Sequence, residues 1–314
     1  MATTLTRGTQ TIVIVLILIT LPMVLAGVEA VSYYRNNRNN GSLVSSGWQR
    51  EYIVHVPDNY DPATPAPLVI SMHGAGLWPA VQRDMTQWNA VADAHGIIVA
   101  YPLGLGLVPA WQMRGGEPWQ MSSEPGLPRD ARFISDLIDR LAATYHIDST
   151  RIYADGLSNG AGMAFVLSCT LADRIAAVGM VSSALLLPFD SCANDHPLPM
   201  IAFHGTHDPV APYNGGTSWV APVMLSAVPS FAEAWSRRNG CAPNPVESAI
   251  AADVSRRSYH GCAEDADVVL YTIKGGGHTW PGGGKMPEWF VGPNTHSVSA
   301  TNEIWAFFRD HPLR

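Results

Sequence analysis

The chemistry of this chain is most legible at Gly156-Leu157-Ser158-Asn159-Gly160, a G-x-S-x-G pentapeptide. A strand-like run, Arg151-Ile152-Tyr153-Ala154, leads into it, and residues 161–171 behind it read as a helix. A sharp strand-to-helix turn of this kind lifts a serine hydroxyl clear of a sheet, and the flanking glycines leave room for the crowded backbone. The helix N-terminus behind the serine presents free N–H groups to a developing negative charge. The chemistry suited to such a turn is nucleophilic attack on an acyl carbonyl. A serine hydroxyl is a poor nucleophile at neutral pH, so it needs a base within hydrogen-bond reach and an acid to fix the base's tautomer.

Both partners are expected after later strands. Asp208 sits in His204-Gly205-Thr206-His207-Asp208-Pro209, directly after a strand-like run ending at Phe203. His278 sits in Gly275-Gly276-Gly277-His278-Thr279-Trp280-Pro281, after a run ending at Ile273, where the glycines permit a tight bend. An Asp-Pro turn and a loop histidine are the plain alternatives for each residue alone. Together they follow the chain order Ser, Asp, His required of a triad on a strand-helix-strand scaffold. His204 and His207 flank Asp208 but lack a third metal ligand, and no Cys/His cluster has zinc spacing. The chemistry therefore calls for no metal and no organic cofactor. His73-Gly74-Ala75-Gly76 follows another buried strand and suits an oxyanion loop. Its imidazole would hold the loop while the N–H of Ala75 and the N–H of Asn159 receive the oxyanion.

The elements that must position these residues alternate between strand and helix. Strand signals fall at residues 50–56, 68–72, 97–101, 152–154, 176–181, 199–203 and 268–273, and helical spacing at 85–94, 133–145, 161–171, 231–238 and 301–310. Continuous apolar runs such as Leu68-Val69-Ile70-Ser71-Met72 suit strands buried on both faces. This predicts an α/β fold, a mostly parallel central sheet covered by helices on both faces, with catalytic loops at the carboxyl edge. Two long loops, 103–128 and 275–299, carry tryptophans; Trp78, Trp111, Trp119, Trp280 and Trp289 read either as an apolar binding surface or as ordinary packing.

Composition bounds the rest. The 314 residues are 47% hydrophobic and 14% charged, which suits one large globular domain, or a domain plus a small appendage. The net charge of −7 and the lack of any Lys/Arg run exclude nucleic acid as a partner. Arg7 precedes an apolar run over residues 12–21 that extends to Gly27, and Val28-Glu29-Ala30 has small residues suited to cleavage. Residues 1–30 thus read as a secretory signal or an uncleaved signal-anchor, the latter tethering the protein through residues 12–28. The polar text of residues 31–46 reads as a flexible tether, leaving 47–314 as the catalytic domain. Either way the body is exported. Four cysteines in an exported chain point to disulfides; of three possible pairings, 169–192 and 241–262 each bracket a short insertion-like segment and are expected.

With these residues in place the chain resembles the polyhydroxybutyrate depolymerase/feruloyl esterase group of exported α/β-hydrolases (carbohydrate esterase family 1-like). The resemblance is carried by Met72-His73-Gly74, Gly156-Leu157-Ser158-Asn159-Gly160, Ala202-Phe203-His204-Gly205-Thr206 with Asp208-Pro209, Gly276-Gly277-His278-Thr279-Trp280-Pro281-Gly282, and the closing 301–308 text, TNEIWAFF. It covers the chain from about residue 50 to the end. It implies the α/β-hydrolase fold, a serine ester hydrolase with Ser158, Asp208 and His278 as its triad, and feruloyl-type or short hydroxyalkanoate esters as substrates. The cysteines at 241 and 262 also resemble the group's. Arg129-Asp130-Ala131-Arg132-Phe133 departs from the more acidic text usual there. The chain ends soon after its last helix, with no text for the extra polymer-binding module usual in depolymerases of solid polyester. Acyl transfer or peptide cleavage by the same triad, or a non-catalytic tethered binding protein, are the alternatives.

Cleavage of the N-terminal segment predicts a mature N-terminus next to Ala30 in the exported protein. Intact-mass spectrometry checks this, and a chain that retains Met1 would assign the segment as an anchor.

Overall fold

The computed structural model describes residues 39–111, 127–183, 192, 196–218 and 224–314. In chain order the elements are β1 (Gly41–Ser45), β2 (Trp48–His55), β3 (Ala66–Met72), α1 (Pro79–Thr86), α2 (Trp88–His95), β4 (Ile98–Pro102), α3 (Arg129–Ala142), β5 (Ile147–Leu157), α4 (Asn159–Thr170), β6 (Ala177–Val181) and β7 (Met200–Gly205). A small ribbon, β8 (Gly216–Thr217) and β9 (Met224–Leu225), precedes α5 (Val228–Arg238), β10 (Val246–Ala251), β11 (Val254–Tyr259), β12 (Val268–Ile273), α6 (Glu288–Val291) and α7 (Ala300–Asp310).

Ten of these strands form one sheet in the order β1-β2-β4-β3-β5-β6-β7-β12-β11-β10. The run from β4 to β12 is parallel and both edges are antiparallel. The pleat explains why the central strands read as unbroken apolar runs. Leu68, Ile70, Ile152, Ala154, Val178, Met200 and Ala202 face a core shared with Phe133, Leu137 and Leu141 of α3, Phe165 of α4 and Trp235 of α5. Their sequence neighbours Val69, Val99, Tyr153, Val181, Ile201 and Phe203 face a second core with Trp88 of α2 and Ile304, Trp305 and Phe308 of α7. Each large side chain buried this way contributes roughly 1.5–3 kcal/mol. The α/β-hydrolase fold expected from the sequence is the fold observed.

Three expectations change. Residues 41–45 belong to the sheet, within a unit that runs from Asn40 to Arg314. Strand β1 pairs with β2 across a two-residue turn, Ser46-Gly47, in which both residues have positive φ (50° and 77°), the geometry that matches strand twist. Polar composition hid the alternation that buries Leu43 and Ser45. The helical text at 85–94 is two helices, broken at Gln87 (φ 58°). A left-handed non-glycine residue costs about 1–2 kcal/mol. Here it turns Trp88 inward, fully buried, with its indole N–H donating to Asp155 Oδ2 at 2.6 Å. The segment between Cys241 and Cys262 is the β10–β11 hairpin, which extends the sheet rather than looping off it. The structure joins Cys241 to Cys262 and Cys169 to Cys192. The N-terminal signal or anchor, residues 31–38 of the tether and Trp119 lie outside the described residues.

Buried charge at two places organises this frame. Arg50 of β2 and Asp130 of α3 meet at 2.7 Å with almost no exposure, and Arg50 Nη2 donates to the Leu103 carbonyl at 3.1 Å. The Arg50 guanidinium also lies 3.9 Å from the centre of the Phe133 ring. Asp130, in the segment that departs from the expected acidic text, is thus a structural partner. Asp155, near the end of β5, is buried between β3, α2 and α7. Burial raises its carboxyl from 3.8 to about 7, against the Ser71 hydroxyl and the Trp88 indole, which favour the charged form. A carboxyl with a higher pKa folded than unfolded stabilises the fold fully only below the unfolded value. That contribution is lost as pH rises through the folded value.

Asp155→Asn should therefore unfold at higher denaturant than the wild type at pH 8. The advantage should shrink as pH falls from about 7 towards 4, at up to ~1.4 kcal/mol per pH unit. Urea melts at pH 5 and pH 8 check this; an advantage equal at both would sink the assignment.

Candidate active site

The serine turn is built from three close backbone approaches. Ser158 sits at φ 55°, ψ −117°, a conformation an L-residue adopts only under constraint, and its N–H donates to Val181 O of β6 at 2.8 Å. A methyl group at Gly156 would meet the Gly160 carbonyl carbon at 2.3 Å, and one at Gly160 would meet Met72 O at 2.2 Å. The two glycines of the motif are thus required by the packing of α4 against the ends of β5 and β3. Gly74, just beyond β3, lies beside the serine, a methyl there standing 3.5 Å from Ser158 Cβ.

The residues around Gly74 form a rigid loop. His73 is buried; its Nδ1 donates to Gly74 O at 2.8 Å and its Nε2 accepts from Gly104 N–H at 3.0 Å. Those two bonds fix one neutral tautomer. Burial and the nearby Arg50 charge lower the imidazole to about 4, although the Gly74 bond favours its charged form. Trp111 Nε1 donates to His73 O at 2.8 Å. The Asn159 side chain accepts from Trp111 N–H at 2.7 Å and donates to Trp111 O at 3.2 Å. Arg50, Gly104, Trp111 and the Asn159 amide were not legible as site residues, because their partners lie 31 to 80 positions away along the chain. Among the described residues, no backbone carbonyl outside the helices and strands accepts from the N–H of Ala75 or Asn159.

Asp208 and His278 come together from adjacent strands. His278 Nδ1 donates to Asp208 Oδ2 at 2.8 Å, and both side chains are nearly buried. Asp208 Oδ1 accepts from the N–H groups of Val210 (2.8 Å) and Ala211 (2.7 Å). Burial works against the charge on Asp208, yet the hydrogen bonds from His204 and His278 prevail and hold it well below the usual carboxylate range. The turns carrying the two residues are zipped together. Thr206 N–H donates to Ile273 O, His207 N–H to Gly276 O, and Gly275 N–H to Thr206 Oγ1. A methyl at Gly205 would overlap Gly276 O, so that glycine too is forced by the approach. Ser182, one residue past the Val181 carbonyl that holds Ser158, donates from its hydroxyl to Thr279 O at 3.2 Å. The end of β6 thus anchors the serine turn on one side and the histidine loop on the other.

Of the loop tryptophans, Trp111 and Trp280 are buried, whereas Trp78 and Trp289 are 52% and 88% exposed. His204 turns inward to Asp208 and Ala211, while exposed His207 meets Thr206. Among the described residues no group of three or more metal-ligating side chains comes together.

A family model described as Phospholipase/Carboxylesterase matches residues 58–228, more than half of the chain and inclusive of the serine turn and Asp208. The chain belongs to that family. This phospholipase/carboxylesterase membership makes the protein a carboxylic-ester hydrolase by class. It is 30% identical over 254 residues to feruloyl esterase B of Piromyces equi, covering 77% of this chain and 45% of that enzyme's length. It is 29% identical to feruloyl esterase C of Emericella nidulans, covering 73% and 76% of the two chains. An acetyl xylan esterase structure from Aspergillus awamori superposes with a TM-score of 0.53 at 16% identity over 73% of this chain and 89% of that one, a likeness of fold.

Gly160→Ala should destabilise this esterase by about 3 kcal/mol and abolish ester turnover, since backbone rather than a flexible side chain blocks the methyl. Gly96→Ala, left-handed but with nothing within 4 Å, should cost only about 1 kcal/mol. Thermal melts of the two variants check the contrast.

Proposed function

We propose that the protein hydrolyses carboxylic esters through an acyl-enzyme, with Ser158 as nucleophile, His278 as base and Asp208 as the acid behind it. The observation that carries this is the 2.8 Å Asp208–His278 bond, in a loop tied through Ser182 to the strand end that also holds the Ser158 turn. The bond at Nδ1 leaves Nε2 of His278 as the proton acceptor. Ser158 Oγ attacks the ester carbonyl and its proton passes to His278 Nε2. The carbonyl oxygen becomes an oxyanion received by the N–H groups of Ala75 and Asn159. His278 then protonates the leaving alkoxide, and the alcohol departs. Water repeats the cycle on the acyl-enzyme, giving its proton to His278 and releasing the acid. Asp208 stays ionised throughout, because its environment holds it below the carboxylate range.

The substrate class we propose is feruloyl-type esters, with short hydroxyalkanoate esters as the competing acyl group. Feruloyl esterases from two fungi are among its relatives. The exposed Trp289, paired with Phe290, lies just before the Val291 carbonyl that binds the His278 N–H, so aromatic surface stands next to the base. Two disulfides support a working place outside the cytoplasm. The catalytic unit we assign starts at Asn40, since β1 belongs to the sheet.

The protein should hydrolyse p-nitrophenyl acetate and react with a fluorophosphonate probe. Ser158→Ala should lose the label and lower kcat by on the order of 10⁴ or more, and His278→Gln should do the same. Unchanged labelling of Ser158→Ala would remove the serine from its role. Methyl ferulate should be turned over faster than hydroxybutyrate oligomers or acetylated xylan; the reverse ranking would move the acyl group to the other class.

A further inference from the structure

We propose that His204 is a positioning residue for ester hydrolysis, a second histidine that shares the Asp208 carboxylate with His278. The proposal rests on the triad reading above and deepens it. His204 lies on β7 in register with Thr272 of β12, and its side chain is buried. Its Nε2 stands 2.8 Å from Ala211 O and 3.3 Å from Asp208 Oδ2. A carbonyl oxygen only accepts, so Nε2 carries the proton, and that N–H also faces the carboxylate. The oxygen it faces is the one that receives His278 Nδ1 at 2.8 Å. Two imidazole N–H groups therefore converge on Oδ2, while Oδ1 is saturated by the N–H groups of Val210 and Ala211.

The other nitrogen of His204 shows that this is not an ion pair. Nδ1 is buried with no hydrogen-bond partner among the described residues. A proton there would create a buried unpaired donor, so the imidazole is neutral with its proton on Nε2. The titratable groups that face it are Asp208 on the turn after β7 and, beyond the carboxylate, His278 on the loop after β12. The Tyr213 ring stands edge-on at 6.0 Å with its hydroxyl bonded to Thr272 Oγ1. His204 thus supplies a fixed dipole rather than a charge. It does two things to the acid. It clamps the 208–211 turn by holding Ala211 O, so that Oδ2 points at His278. It also draws electron density at Oδ2 away from His278, which limits how strongly the carboxylate raises the basicity of that imidazole.

Two variants test this. His204→Phe keeps ring volume and removes the donor; His204→Gln keeps an N–H at about the reach of Nε2. Positioning predicts that His204→Phe lowers kcat about ten- to a hundredfold with KM unchanged. The acid limb of its kcat/KM profile should move to higher pH by about half a unit or more. His204→Gln should restore the limb and most of the rate. A His204→Phe protein that melts at a lower temperature but keeps the wild-type limb and kcat overturns the proposal, since a purely structural tie predicts that pattern. If His204→Phe does not fold, ¹⁵N imidazole spectra of the wild type decide. A protonated Nε2 and bare Nδ1 on His204 at neutral pH support the proposal, and a proton on Nδ1 overturns it. Failure of the triad reading is separable. It appears as fluorophosphonate labelling that persists in Ser158→Ala, and it overturns both, whereas labelling lost in Ser158→Ala with a wild-type His204→Phe profile overturns only the positioning role.

Discussion

Backbone crowding at one point governs this molecule. Helix α4 lies so close to the end of β3 that the Met72 carbonyl occupies the space a side chain at position 160 would need, and the same holds between positions 156 and 160. Close approach places the left-handed Ser158 between the ends of β3, β5 and β6, and the packing around it over-determines a conformation that would be strained in isolation. It also sets the loop after β3 against the serine. Strain of this kind persists only where buried structure on every side resists relaxation. The two apolar cores on the faces of the sheet supply that resistance.

A second layer of order is polar. His73, Gly104, Trp111 and Asn159 form a closed set of hydrogen bonds that locks the loop after β3 to the loop after β4 and to the first residue of α4. Arg50 and Asp130 extend the set to β2 and α3 by holding Leu103, the residue before Gly104. A buried ion pair is weak evidence for stability, because desolvation offsets much of its attraction. Its value here is positional, since breaking it would leave an uncompensated charge and free the carbonyl that precedes the His73 partner. Asp208 is the counterpart on the other side of the site. Four donors converge on it, enough to keep a buried carboxylate ionised.

Much of the fold and of the candidate site was legible in the residues. Unbroken apolar runs marked the parallel strands, because strands covered on both faces cannot alternate. Chain order and position after strands singled out Asp208 and His278, and the structure brings them to 2.8 Å. Strand β1 and the β10–β11 hairpin were not legible. Edge strands bury one face at most, and short polar text such as Gly41-Ser42-Leu43-Val44-Ser45 carries too little periodicity to separate from a linker. The break at Gln87 was hidden for another reason. No glycine or proline marks it, and its left-handed turn is paid for by a tryptophan whose partner, Asp155, lies 67 residues away.

By itself the sequence determined what is local or periodic: the α/β class, the G-x-S-x-G turn with its glycines, and the order of serine, aspartate and histidine. Spacing along a chain carries that information because strand and helix periods and turn stereochemistry are short-range. Tertiary structure alone decided which distant groups meet. It set Trp111 on the His73 carbonyl and on the Asn159 amide, Ser182 on the Thr279 carbonyl, and His204 on the carboxylate that His278 also uses. It also sorted the tryptophans, burying Trp111 and Trp280 while leaving Trp78 and Trp289 at the surface. These choices depend on sheet order and on how closely backbones approach, and neither leaves a mark in the spacing of residue types.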